Sequence, residues 1–345
     1  MPVIRGARRE VRGATAESPG PRFEVRGPQT TALALLVIAL LGSRGVEAHE
    51  GARGVLEAGR WQWTWEPYVL VPLAISIVLY AIGVARLWRR AGRGRGVTYW
   101  QLASFAAGTM TIVVALLSPV AWISQILFSV HMTQHTLLML VAAPLLTFGH
   151  PIFAWLWAFG DRGRDSIARR ARRRQVVGAW HHLTAPLTVF ILQAVALWLW
   201  HIPSWYQAAL RNDAVHALEH LCFVLSASLF WWAMVNGRYG RAGYGLGVLY
   251  VFLTAIHSSA LGALLAVSPE VWYGDYGQQA QVWTVDALAD QQLAGLLMWI
   301  PAGMIFIVFG LALFAAWLGE SEKRVAFGSA DTSAHRLLKP RPHAR

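Results

Sequence analysis

Two pairs of histidines, each one helical turn apart, interrupt stretches that are otherwise strongly apolar. His131 and His135 lie in Ser129-Val130-His131-Met132-Thr133-Gln134-His135, and His216 and His220 in Val215-His216-Ala217-Leu218-Glu219-His220. Residues i and i+4 share a helix face, so each pair projects to one side, and Met139 extends the first pair into a stripe. Helix bundles build metal sites from such inward side chains on facing helices. Imidazole with thioether suits copper, and soft sulfur favours Cu(I). Two histidines on facing helices also suit axial ligation of haem. Glu219, beside His220, is placed to fix an imidazole tautomer from behind.

Further candidates are more scattered. His201 stands in Trp200-His201-Ile202-Pro203, and His257 in the middle of an apolar run. Asp290-Gln291-Gln292 opens another run, where its carboxylate and amides either close a metal site or hydrogen-bond the ligands. An acid in the first turn of a helix is also simply favourable there. A buried histidine can serve only to bond a neighbouring helix, and a methionine only to fill a gap. Ionisable groups inside a membrane nevertheless lean towards function.

The elements that must position these residues follow from composition. Of 345 residues, 56% are hydrophobic and 14% charged, and the mean hydropathy is +0.42. Such a chain reads as an all-α, polytopic transmembrane bundle. Seven apolar runs, at about 67–88, 100–120, 125–148, 186–202, 213–236, 245–268 and 290–318, approach the roughly 20 residues that a spanning helix needs. They lack the period-2 alternation of membrane strands. Residues 1–48 read as a basic leader ending in a signal peptide or anchor, 49–66 as a short extracytoplasmic segment, 67–318 as the seven-helix domain, and 319–345 as a disordered basic cytoplasmic tail. The single cysteine, Cys222, excludes an internal disulfide and any paired-cysteine metal motif.

The net charge of +12 is not a nucleic-acid footprint, because most arginines fall in short loops between apolar runs. Arg89, Arg90, Arg93 and Arg95 follow the first run, seven arginines between Arg162 and Arg174 follow the third, and Arg238 and Arg241 follow the fifth. Positive-inside then places these loops and the C-terminus in the cytoplasm and the mature N-terminus outside the plasma membrane. On that topology His131, His135, His201, His216 and His220 sit in the outer part of the bilayer, with His257 near its middle.

The same segments resemble a known family. His131-Met132-Thr133-Gln134-His135, Trp200-His201-Ile202-Pro203 with Tyr206, Val215-His216-Ala217-Leu218-Glu219-His220 with Phe230-Trp231-Trp232, and Ala289-Asp290-Gln291-Gln292-Leu293-Ala294-Gly295 with Met298-Trp299-Ile300-Pro301 are similar to motifs of the polytopic CtaG family. These are assembly factors for caa(3)-type cytochrome c oxidase. The resemblance spans about residues 61 to 318. It implies a non-enzymatic role in building a terminal oxidase, with oxidase subunits as partners, the bilayer as surroundings, and copper insertion as the step served. The copper would come from an extracytoplasmic donor.

Several functions remain open on the sequence. A chaperone would hold copper on the four paired histidines, with His201, His257 and Met139 as further ligands. A copper transporter would need ligands along the whole path, and beyond His257 and Met304 the inner half offers few. A haem protein and a metal-free scaffold for oxidase subunits complete the alternatives. No nucleophile-and-base pattern supports hydrolysis.

Overall fold

The computed structural model describes residues 63–236, 243–276 and 285–337. The leader at 1–48, most of 49–66 and the last eight residues of the tail fall outside that range. Among the described residues every regular element is helical.

Helix α1 (Pro67–Ala91) starts with proline in its first turn and ends on Arg89, Arg90 and Gly92, whose φ is 94°. Proline lacks only an N–H that the first turn leaves unpaired anyway, and glycine takes positive φ freely. Helix α2 (Tyr99–Leu116) is entered by a capping box, in which Thr98 and Gln101 satisfy each other's backbone. A short α3 (Pro119–Ile123) leads to α4 (Phe128–Thr136), which passes through a π-helical segment, Leu137–Ala142, into α5 (Ala143–Phe148). After His150, α6 (Pro151–Ala158) departs at 53°. His150 adopts φ 48°. The following proline bars it from the right-handed helical region, so the bend falls there.

The arginine-rich connection that follows folds into α7 (Asp161–Ala171) and α8 (Arg174–Leu183). Helix α9 (Pro186–Trp200) has 15 residues, about 22 Å at 1.5 Å each, short of a hydrocarbon layer of about 30 Å. The apolar run suggests one continuous span over 186–202. Instead α8 and α9, bent by 59°, have the required length and apolarity only together. The surface helix α10 (Pro203–Arg211) follows. Asn212 then caps α11 (Asp213–Val235) by accepting from the Ala214 and Val215 amides. The last two helices are α12 (Gly243–Val267) and α13 (Ala287–Leu337).

Five helices are long and apolar enough to cross a membrane, and seven spans result if each bent pair counts as one. This is the architecture of a multi-pass membrane protein. The burial pattern agrees. Val71, Ile75, Val78 and Ile82 on α1, and Met304, Ile307, Val308 and Leu311 on α13, face outward. Gln134, Gln193, Glu219 and Gln291 are buried. Apolar outside with polar inside suits a lipid solvent.

The tail departs from its sequence reading. Residues 319–337 continue α13 to Leu337, where the composition suggests a disordered tail. The stretch Gly319-Glu320-Ser321-Glu322-Lys323-Arg324-Val325-Ala326 contains no proline. Its Glu, Lys, Arg and Ala residues extend a helix whose nucleation is already complete.

The loops sort to two ends. At one, Arg90 at the end of α1 pairs in a bidentate fork with Asp161 of α7, at 2.7 and 2.8 Å. Held by that hydrogen bond, the Asp161 carboxyl sits below the usual range. At the other end Tyr276 donates to the Ser124 carbonyl, Tyr273 to the His201 carbonyl, and Arg211 pairs with Asp275. Close helix contacts depend on glycine. A Cβ at Gly295 would stand 2.4 Å from the Ala266 nitrogen and 2.6 Å from the Gly262 oxygen, so α12 and α13 approach backbone to backbone.

Candidate metal centre

The site is built by two helices that begin at the same end of the bundle. Helix α4 brings His131 and His135, and α11 brings His216, Glu219 and His220. The four rings form a closed quadrilateral. Ring centroids are 4.3 Å apart for His131–His135, 4.4 Å for His216–His220, 5.3 Å for His131–His216 and 5.2 Å for His135–His220. One ligand atom from each of His131, His216 and His220 lies within 4.8 Å of the others, and the same holds for His131, His135 and Glu219. Metal–nitrogen bonds near 2 Å leave donors at most about 4 Å apart, so small ring movements suffice to close either set.

The donors lie inside the bundle and make no hydrogen bonds among the described residues. His131, His135 and His220 are buried, and Glu219 is fully so. Among the described residues, Nε2 of His131, His135, His216 and His220, Nδ1 of His135 and both carboxylate oxygens of Glu219 meet no hydrogen-bond partner. The nearest charged contact, Glu219 Oε1 to His135 Nε2, is 3.9 Å. Buried polar groups are otherwise nearly always paired, so these unpartnered nitrogens and oxygens form a donor set with the chemistry to hold a cation.

Other candidates fall differently. His201 lies at the end of α9, 6.3 Å from the His135 ring by centroids, with Nδ1 on the Leu197 carbonyl. Met139 sits within the π segment and lines a cavity beside His135 and His201. His257 packs edge-on against Phe190, and none of its described ring contacts is with another histidine.

The Asp-Gln-Gln segment does not bond the imidazoles. Asp290 accepts from the amides of Phe128 and Ser129 at 2.7 and 3.3 Å, so it caps α4 from across the bundle. Gln291 spans the Trp272 amide and the Glu270 carbonyl, and Gln292 donates to the Ser268 carbonyl. These residues hold the histidine helix and the covering loop, and act on the rings through the backbone. The reason is position: the first turn of α13 lies level with the start of α4, where free amides compete for the carboxylate.

Sequence reading missed an aromatic cover. Phe128, Tyr206, Tyr273 and Tyr276 pack together, with Tyr206 5.4 Å and Tyr276 6.1 Å from the His131 ring. They shield the site from the end of the bundle. Nothing local marks Tyr273 and Tyr276, which come from the connection between α12 and α13. Glu219 was legible in part, because His216, Glu219 and His220 share a face by i, i+3, i+4 spacing.

The π segment has a specific cause. The Ala143 amide bonds the Leu138 carbonyl. The next such bond, to Met139, would need an N–H that Pro144 lacks. The Trp231 indole of α11 supplies it, donating to the Met139 carbonyl at 3.0 Å. This bond clamps α11 to the helix just below His135, at the kind of site where π-bulges concentrate.

Fold and site together define an α-helical, multi-pass membrane protein with an enclosed histidine–carboxylate cluster. The chain belongs to the cytochrome c oxidase caa3 assembly factor family, whose pattern it matches over residues 78–320. It is also similar to uncharacterized proteins of Mycobacterium leprae, at 24% identity over 273 residues, and Mycobacterium tuberculosis, at 26% over 275. Each alignment covers 76% of this chain but 40% of the relative, so the chain corresponds to less than half of those proteins. No solved structure matches.

Proposed function

We propose that this protein serves the assembly of a caa3-type oxidase by holding copper between α4 and α11, on His131, His135, His216 and His220 with Glu219. The observation that carries the reading is the convergence of unpartnered imidazole nitrogens and one buried carboxylate from two helices. A nitrogen–oxygen set accepts several transition metals. Family membership favours copper, since the oxidase assembled is a copper enzyme. The ion would be cargo, received from an extracytoplasmic donor and passed to an oxidase subunit, with no catalysed reaction. Positive-inside sidedness supports an outward-facing site in the plasma membrane.

The packing favours copper over haem. His131 and His216 stack ring on ring at an interplanar angle of 16°, and a porphyrin between them would require the helices to separate. His257, within an apolar helix, packs against Phe190 away from the cluster, which supports a holding site over a continuous transport path.

The test is metal content. The full chain, purified in detergent and loaded with copper, is expected to bind it with nitrogen and oxygen ligands. His131→Ala/His216→Ala should lose that copper, and cells carrying it should lose oxidase activity. Because the ligands must be unprotonated, affinity should also fall as the pH is lowered. Unchanged nitrogen-bound copper together with unchanged oxidase activity refutes the reading, and a scaffold role replaces it.

A further inference from the structure

A second donor set lies beside the histidine quadrilateral. A cavity of about 50 Å³ is lined by His135, His201, Met139, Met298 and Gln193, with mostly apolar side chains completing the wall. Five helices contribute: α4 with its π segment, α9, α11, α12 and α13. It shares only His135 with the cluster described above.

The tautomer of His201 is fixed. Its Nδ1 stands 2.7 Å from the Leu197 carbonyl oxygen. A carbonyl only accepts, so Nδ1 carries the proton and Nε2 is left with a lone pair. That Nε2 is buried and has no partner, and His201 as a whole is 3% exposed. Across the cavity His135 also lacks a partner at either ring nitrogen, and the Gln193 side-chain oxygen is free as well.

Both ends of this arrangement are braced. Tyr273 donates to the His201 carbonyl at 2.8 Å, and the Trp231 indole holds the Met139 carbonyl. Bracing of this kind keeps donors in place without an ion. Met298 comes from α13, one helix turn beyond the close glycine contact at Gly295.

We propose that this cavity is a Cu(I)-selective site, with His201 Nε2, His135 and the thioethers of Met139 and Met298 as ligands. Neutral imidazole with two thioethers is a soft set and selects monovalent copper over divalent ions. His135 borders both positions, so an ion moves between them by exchanging the other ligands. The inference rests on the copper-holding reading for the source of the ion, and stands on its own donors for the ligands.

The experiment uses the full chain in detergent, reduced and loaded anaerobically with Cu(I), and reads ligand type by X-ray absorption. Copper–sulfur scattering is expected in the wild-type protein. Met139→Leu/Met298→Leu, which nearly conserves volume, should abolish it and lower Cu(I) bound by about one equivalent. His131→Ala/His216→Ala should retain it. Wild-type protein with nitrogen and oxygen ligands only, the cavity then holding water, overturns the proposal while leaving the histidine cluster intact. Sulfur scattering that survives in the methionine variant also overturns it. Sulfur scattering in wild-type protein without nitrogen-only copper supports the cavity site and fails the cluster instead.

Discussion

Replacing Glu219 by glutamine should move metal affinity and stability in opposite directions. Glu219 is fully buried, and both its oxygens are unpartnered. Even at about 4 Å from a monovalent cation, with an effective dielectric constant of about 20, a carboxylate contributes about 4 kcal/mol, a lower bound for one whose oxygen bonds the ion. The glutamine side chain would keep an oxygen for the metal but lose the charge, so the net loss should be about 2–3 kcal/mol. That is about 30- to 150-fold in copper affinity, at 1.4 kcal/mol per tenfold. Without metal the sign reverses. The amide brings a donor to a region rich in acceptors, with His135 Nε2 3.9 Å from one carboxylate oxygen. One new buried hydrogen bond is worth about 1 kcal/mol, so the metal-free variant should resist heat slightly better than wild type. Copper competition titration reads the first effect and thermal unfolding in detergent the second. A variant that melts lower and binds copper as wild type does would refute the argument, because Glu219 would then be a structural group.

Three other perturbations test the scaffold. Asp290→Ala leaves the buried Phe128 and Ser129 amides without an acceptor and should cost about 2–3 kcal/mol; thermal unfolding reads this, and copper affinity should fall with it as the first turn of α4 frays. Trp231→Phe strips the Met139 carbonyl of its donor and should cost about 1–2 kcal/mol. In a Pro144→Ala background, where a backbone N–H is restored, the same change should cost about 1 kcal/mol less, and strict additivity in that double-mutant cycle would refute the stated cause of the π segment. Gly295→Ala should destabilise by about 3 kcal/mol by driving α12 from α13, whereas Gly303→Ala on the same helix meets open space and should be neutral or better, as comparative melting will show.

The chain's own pattern determined much. Apolar runs and arginine-bearing loops specify an all-α membrane bundle, because lipid admits only backbones that satisfy themselves and loop charge sorts by side. The i, i+4 spacing of His131 with His135 and of His216 with His220 puts each pair on one face without reference to any partner. Two breaks were less legible. The bend after Phe148 falls in a turn between two apolar helices, where hydropathy averages over it, and that between Leu183 and Pro186 joins the polar α8 to the apolar α9, which a hydropathy window separates from the span.

Tertiary structure alone decided who meets whom. His257 and His201 are both histidines at the end or middle of apolar helices, yet His257 faces Phe190 while His201 faces a cavity with His135. Asp290 caps a helix 162 residues away, and Met139 shares a cavity wall with Met298 of α13. Helical periodicity fixes the direction of a side chain about its own axis. It carries no information on which helix packs opposite, and that choice determines whether these donors share an ion.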